Sequence, residues 1–171
     1  VYKRQDLRRW TLVCFAEDLV DEVKPLQSDD VWLVSGGGSG VTAASIIGVA
    51  NASKNAGATF LLLGRSGLVE ETSQWLDWSE DQLNSRKMAL RESLISESES
   101  GKVTMVEWNN AWMKLTRSMD IYRTISEIES TGNKAEYHSA NVTDSGAISA
   151  AVGERTVTGI VHGAGLEESK L

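Results

Sequence analysis

The stretch Val31-Trp-Leu-Val-Ser-Gly-Gly-Gly-Ser-Gly-Val-Thr-Ala43 constrains this chain more than any other. Residues 31–34 form a short apolar run that reads as a buried strand. Ser35, Gly36, Gly37, Gly38, Ser39 and Gly40 read as a glycine-rich turn. From Val41 a helical pattern begins, with Ala43, Ile46, Ile47 and Ala50 on one face. Strand, glycine turn and helix in that order form the phosphate-binding opening of a dinucleotide fold. Bare backbone lets a pyrophosphate approach, and the free N–H groups and positive dipole end of the helix attract its charge. The same cluster also fits a tight connection with no ligand. It is not a P-loop, because no Gly-Lys-Ser/Thr follows the glycines.

The residues downstream favour the nucleotide reading. Asn55-Ala-Gly57 is expected to end the first helix, with Gly57 as its cap. Thr59-Phe-Leu-Leu-Leu63 is apolar without alternation, as a parallel strand covered on both faces should be. Residues 31–63 thus span the ~30 residues of a βαβ unit. At the end of the second strand, where this fold meets the adenosine ribose, stand Arg65 and Ser66. An acid there favours the 2′-hydroxyl of NAD, whereas an arginine accommodates the 2′-phosphate of NADP. A solvated turn arginine is the plainer alternative, and the glycine loop at the correct distance favours the phosphate role.

Residues 68–131 exceed one crossover helix and carry four of the six tryptophans, Trp75, Trp78, Trp108 and Trp112. Ser79-Glu-Asp-Gln82 reads as a capping box, followed by Leu83, Leu90 and Leu94. A loop over 96–102 and a second helix over 106–115 are expected, then the crossover helix marked by Ile121, Tyr122, Ile125 and Ile128. A helical insertion over about 68–118 follows from this, and its tryptophans read as packing. Residues 134–138 are a third strand, with His138 an ordinary strand histidine. Thr143 or Asp144 can cap the next helix. Residues 157–161 are a fourth strand, ending in His162-Gly-Ala-Gly165. His162 has no sequence neighbour of the kind a catalytic dyad needs.

The chain has 171 residues, enough for one ordinary domain; its 41% hydrophobic content and 1 proline predict a packed, helix-rich one. The net charge of -7 argues against a nucleic-acid surface. Cys14, the 1 cysteine, excludes an internal disulfide. It sits in an apolar run and is expected to be buried and inert, which fits a reducing, cytoplasmic compartment. No apolar run reaches the ~18 residues of a membrane span, and no signal peptide is visible. Residues 1–5 resemble the translated end of a sequencing-library transposon adapter and are set aside. Residues 6–30 read as the end of a preceding region, with a strand over 10–16, a short helix over 18–24 and a linker at Pro25 and Gln27-Ser-Asp-Asp30. The missing initiator Met, and a stop at Leu171 just after a strand and glycine turn, suggest an internal piece of a longer polypeptide.

Four motifs carry a family resemblance: Val34-Ser-Gly-Gly-Gly-Ser-Gly40, Leu63-Gly-Arg-Ser66, Ala140-Asn-Val-Thr-Asp144 and Gly159-Ile-Val-His-Gly-Ala-Gly165. Together they resemble the cofactor motifs of ketoreductase domains, the short-chain dehydrogenase/reductase modules of multidomain polyketide and fatty-acid synthases. The tryptophan-bearing insertion is most similar to ketoreductases of polyunsaturated fatty-acid synthases and related iterative synthases. The resemblance implies a Rossmann-like α/β fold, a three-layer αβα arrangement with a parallel sheet in order 3-2-1-4, truncated before its remaining strands. The fourth strand would then carry an unpaired edge.

The resemblance also implies NADPH as cofactor. Ser35, Gly36, Gly37, Gly38, Ser39, Gly40 and Val41 would cradle its pyrophosphate. Arg65 and Ser66 would hold the 2′-phosphate, Asn141 and Val142 would border the adenine, and His162, Gly163, Ala164 and Gly165 would line the adenosine and nicotinamide side. The implied reaction is reduction of a β-ketoacyl thioester, carried on an acyl carrier protein, to the β-hydroxyacyl thioester, beside neighbouring synthase domains. The family's catalytic Lys, Ser and Tyr would fall beyond Leu171, since Lys170 follows the last motif too closely, so no catalytic residue and no metal ligand is assigned. Thr42 replaces the last glycine of the family turn, Asn141 replaces a usual aspartate, and Leu166-Glu-Glu-Ser169 lacks the pattern of one stereochemical class. A free-standing reductase on a small ketone and a non-catalytic structural module are the alternatives.

Overall fold

The computed structural model describes residues 3–5, 8–10 and 25–165. Lys3–Gln5 (β1) and Arg8–Trp10 (β2) pair antiparallel. The strand expected over 10–16 (apart from Trp10), the helix expected over 18–24, Cys14 and residues 166–171 lie outside the described residues. The linker at Gln27 is a turn in which the Gln27 N–H donates to Asp30 Oδ2 at 2.7 Å and the Asp30 N–H donates to the Gln27 carbonyl at 3.0 Å.

The four apolar runs form one parallel sheet: Val31–Ser35 (β3), Thr59–Gly64 (β4), Lys134–Ser139 (β5) and Gly159–His162 (β6). Its order is β5-β4-β3-β6, which counted within the sheet is the expected 3-2-1-4. Helices Gly40–Ala52 (α1), Glu80–Glu97 (α2), Met105–Ser130 (α3) and Ser145–Val152 (α4) complete the domain. Side chains alternate across the sheet. Val34, Phe60 and Leu62 pack with Ile46 and Ala50 of α1 and Ile128 of α3. On the other face Leu63 and Ala140 pack with Ala147, Ile148 and Ala151 of α4. Burial on both faces explains the absence of alternation in β4. Among the described residues β6 pairs only with β3, leaving one edge open.

Two local expectations need correction. The first helix stops at Ala52, with Ser53 as its cap donating to the Val49 and Ala50 carbonyls. Asn55 (φ 60°) and Gly57 (φ 76°) then both take left-handed backbone to redirect the chain into β4, so Gly57 is not the helix cap. The break expected between a helix over 106–115 and the crossover helix is absent, because α3 is one continuous helix of 26 residues. At 1.5 Å per residue it is about 39 Å long. The stretch between the two expected helices is anchored by a buried serine. Fully buried Ser118 accepts from the Val69 N–H at 2.8 Å and from Thr72 Oγ1 at 2.8 Å. The capping box at Ser79 and Gln82 is present, and α3 starts with a second one, Thr104 with Glu107.

The tryptophans pack as a satellite core. Trp75 stacks on Trp78 at 5.2 Å and Trp112 at 6.1 Å, with Leu115 and Met119 beneath. Arg86 lies 5.5 Å over Trp75, and Lys87 lies 5.2 Å over Trp108. At the opposite end of the sheet from the glycine turn, buried Asn133 accepts from the Ala58 N–H at 3.1 Å. It also donates to the carbonyls of Ala50 (3.2 Å) and Ser53 (3.1 Å), clamping α1 and β4 to the start of β5.

Candidate functional site

The chain reverses its direction of sheet growth at β3, which lies between β4 and β6. In open α/β sheets such a switch point leaves a crevice beyond the carboxyl ends of the strands. Here that crevice is a cleft of about 500 Å³. It brings together residues from all four strand ends: Gly36 after β3, Arg65 after β4, Asn141 and Val142 after β5, and His162 to Gly165 at the end of β6. These segments were separate motifs in the sequence. Thr143, not among the expected site residues, also lines the cleft.

The glycines divide the work. Gly36 has φ +74°, and a Cβ there would lie 2.9 Å from the Gly163 carbonyl oxygen and the Ala164 nitrogen. Its N–H donates to the Leu63 carbonyl at 2.8 Å. Gly36 therefore lets the β6 loop lie directly on the turn. Gly37 and Gly38 instead face inward, against Val34 and Leu62, and against Ile121 and Tyr137. They do not line the cleft; they bring the turn down onto the core. Thr124 Oγ1 then donates to the Gly38 carbonyl at 3.1 Å. Ser39 precedes α1 and makes no side-chain capping bond, so no side chain of its own occupies the first amides of α1. Val41, in the first turn, is 85% exposed.

Thr42 is accommodated by its neighbour. Its side chain packs where a Cβ on Gly163 would sit. The threonine that departs from the family turn is therefore matched by a glycine on β6's loop. Gly163→Ala is expected to cost about 1–3 kcal/mol through overpacking. In a Thr42→Gly background the same change should cost much less. Urea unfolding of the four proteins in this cycle measures the coupling, and equal penalties in both backgrounds would show that the two residues do not compete for space.

Arg65 is exposed, and its guanidinium has no ion-pair partner among the described residues. The turn is held just after it by Tyr137, whose hydroxyl donates to the Ser66 carbonyl at 2.7 Å. Burial raises the Tyr137 pKa, which keeps the phenol neutral and able to donate. Of the acids that follow, Glu71 is drawn to Arg86 at 3.0 Å. Asn141 Oδ1 accepts from the Thr143 N–H at 3.2 Å, leaving its Nδ2 donors for a ligand. Asp144, rather than Thr143, caps α4 by accepting from Gly146 and Ala147.

His162 does have a dyad-like neighbour. Ser35 Oγ lies 2.6 Å from His162 Nδ1, a pair brought together across 127 residues by the pairing of β3 with β6. Sequence adjacency could not reveal it. His138 sits away from the cleft on β5, its Nε2 3.5 Å from Glu136. Arg155, hydrogen-bonded to Glu136 at 2.8 Å, holds that carboxyl below the ordinary range. Among the described residues no group of side chains could hold a metal ion, and no helix is long and apolar enough to cross a membrane.

Fold and cleft together define a Rossmann-like α/β domain with a cleft at the switch point of its sheet. The chain is similar to one of the polyunsaturated fatty acid synthase subunits of Thraustochytrium sp., 27% identical over 156 residues, which is 86% of this chain and 6% of that protein. No family model and no solved structure matches the chain.

Proposed function

We propose that this chain is the NADPH-binding part of a ketoreductase domain in a multidomain fatty-acid or polyketide synthase. The reaction served is reduction of a β-ketoacyl thioester, presented by an acyl carrier protein, to the β-hydroxyacyl thioester. One observation carries the reading: residues of four sequence motifs, from Gly36 to Gly165, line one cleft at the strand ends. The distant similarity to a segment of a fatty-acid synthase protein supports the synthase setting.

The residues fit the cofactor. Gly36 lets the β6 loop close onto the turn and so shape the cleft, and the start of α1 carries no side-chain cap. Those amides suit a pyrophosphate. Arg65, free of ion partners among the described residues, and Ser66 suit the 2′-phosphate. Asn141 Nδ2 is a donor for the adenine edge, with Val142 beside it. His162, Gly163, Ala164 and Gly165 bound the remaining side of the cleft. When bound, NADPH supplies a hydride; the residues of this chain bind and orient it.

Arg65→Ala tests the reading. Its guanidinium matches a charge that must be compensated when it leaves water. Loss of about 1.5–3 kcal/mol of NADPH binding is expected, the scale of a charge-assisted bond, with far less change for NADH. Calorimetric titration of both cofactors decides it. Equal losses would mean that Arg65 supports the turn or the adenine instead of reading the phosphate.

A further inference from the structure

We infer that Ser35 is a positioning residue that fixes the tautomer and orientation of His162, so that the imidazole presents its Nε2–H as a donor to an oxygen of the bound dinucleotide. The ligand half of this inference rests on the reading above; the Ser35–His162 half does not.

Ser35 is buried at the end of β3. Its Oγ faces two groups, the Ala164 N–H at 3.4 Å and His162 Nδ1 at 2.6 Å. A backbone N–H can only donate, so Oγ accepts there. The single hydroxyl proton is then available for Nδ1. A neutral imidazole carries one ring proton, and an accepting Nδ1 places that proton on Nε2. His162 is exposed and lines the cleft, and its Nε2 has no partner among the described residues. Two cavities border His162, from the ends of β3 and β4, the loop after β5, and α4. Among the described residues, Arg65 is the only other charged or titratable side chain lining either of them, and no acid does so. A neutral donor beside Arg65 gives the ligand a hydrogen bond without adding a second positive charge to the cleft.

The ligand-free chain gives the first test, by ¹⁵N NMR of the imidazoles at pH 8. The chain has 2 histidines, and His138→Gln identifies which signal is which. Expected is a single Nε2–H tautomer for His162, giving way in Ser35→Ala to the mixture of an unrestrained imidazole and restored in Ser35→Thr. An Nδ1–H tautomer in the native chain, or a tautomer unchanged by Ser35→Ala, would overturn the assignment. The native spectrum alone decides this if Ser35→Ala does not fold. The second test is NADP⁺ binding. Ser35→Ala and His162→Ala should each weaken it about tenfold, the scale of one hydrogen bond to a charged ligand. The double variant should be no worse than His162→Ala by more than about twofold. Multiplying losses would mean that Ser35 acts independently of His162, overturning the positioning role. A chain that binds no NADP⁺ at all would remove the cofactor reading and with it the ligand half, while the NMR result would still decide the pair.

Discussion

Gly36→Ala is expected to lower stability by about 2–5 kcal/mol and to abolish nucleotide binding. Two costs add. The left-handed backbone at φ +74° costs a residue with a Cβ about 1–2 kcal/mol. The new methyl would also meet the backbone of Gly163 and Ala164 at 2.9 Å. Backbone tied down by the Gly163 N–H bond to the Ser35 carbonyl cannot swing aside as a flexible side chain can, so the overlap adds about 1–3 kcal/mol. Relief would require lifting the β6 loop off the turn, which opens the floor of the cleft. Gly48→Ala is the control. Gly48 is exposed in α1, with no atom within 4 Å of a Cβ, and the change should stabilise by up to about 1 kcal/mol through helix propensity. Urea unfolding measures both. A Gly36→Ala protein as stable as the native chain would show that the turn and the β6 loop do not touch as described.

Trp75→Ala carries the other large effect. Trp75 is 3% exposed between Trp78 and Trp112, under the Arg86 guanidinium. Truncating a buried tryptophan costs about 3–5 kcal/mol. The satellite core around Trp75 shares no residue with the cores that flank the sheet. The loss should therefore be local. Hydrogen exchange is expected to show α2 and the 3₁₀ turn Glu70–Trp75 losing protection, while β3 and β4 retain theirs. Uniform loss across the sheet would mean that the insertion is part of the main cooperative unit.

Local chemistry made much of this legible in the sequence. The glycine turn, the unalternating β4, the Ser79 capping box and the acidic cap at Asp144 are all written in short stretches whose physics is local. What was not legible is tertiary. The two helices expected over 106–115 and from Ile121 are one, and the residue between them that anchors it, Ser118, is buried against Val69 and Thr72, a contact that no local pattern announces. The three consecutive glycines of the turn are identical as letters, but of these only Gly36 lines the cleft; Gly37 and Gly38 meet core side chains. The pairing of Ser35 with His162 and the fit of Thr42 against Gly163 depend on β6 lying beside β3, which fixes partners more than a hundred residues apart.

The central claim is that this cleft binds a dinucleotide and reads its 2′-phosphate through Arg65. Titration of the native chain with NADPH and with NADH, by calorimetry at one fixed ionic strength, tests it most directly. The account predicts saturable binding of both, with NADPH tighter by tenfold or more, about 1.4 kcal/mol. Equal affinity, a preference for NADH, or no binding of either would contradict it.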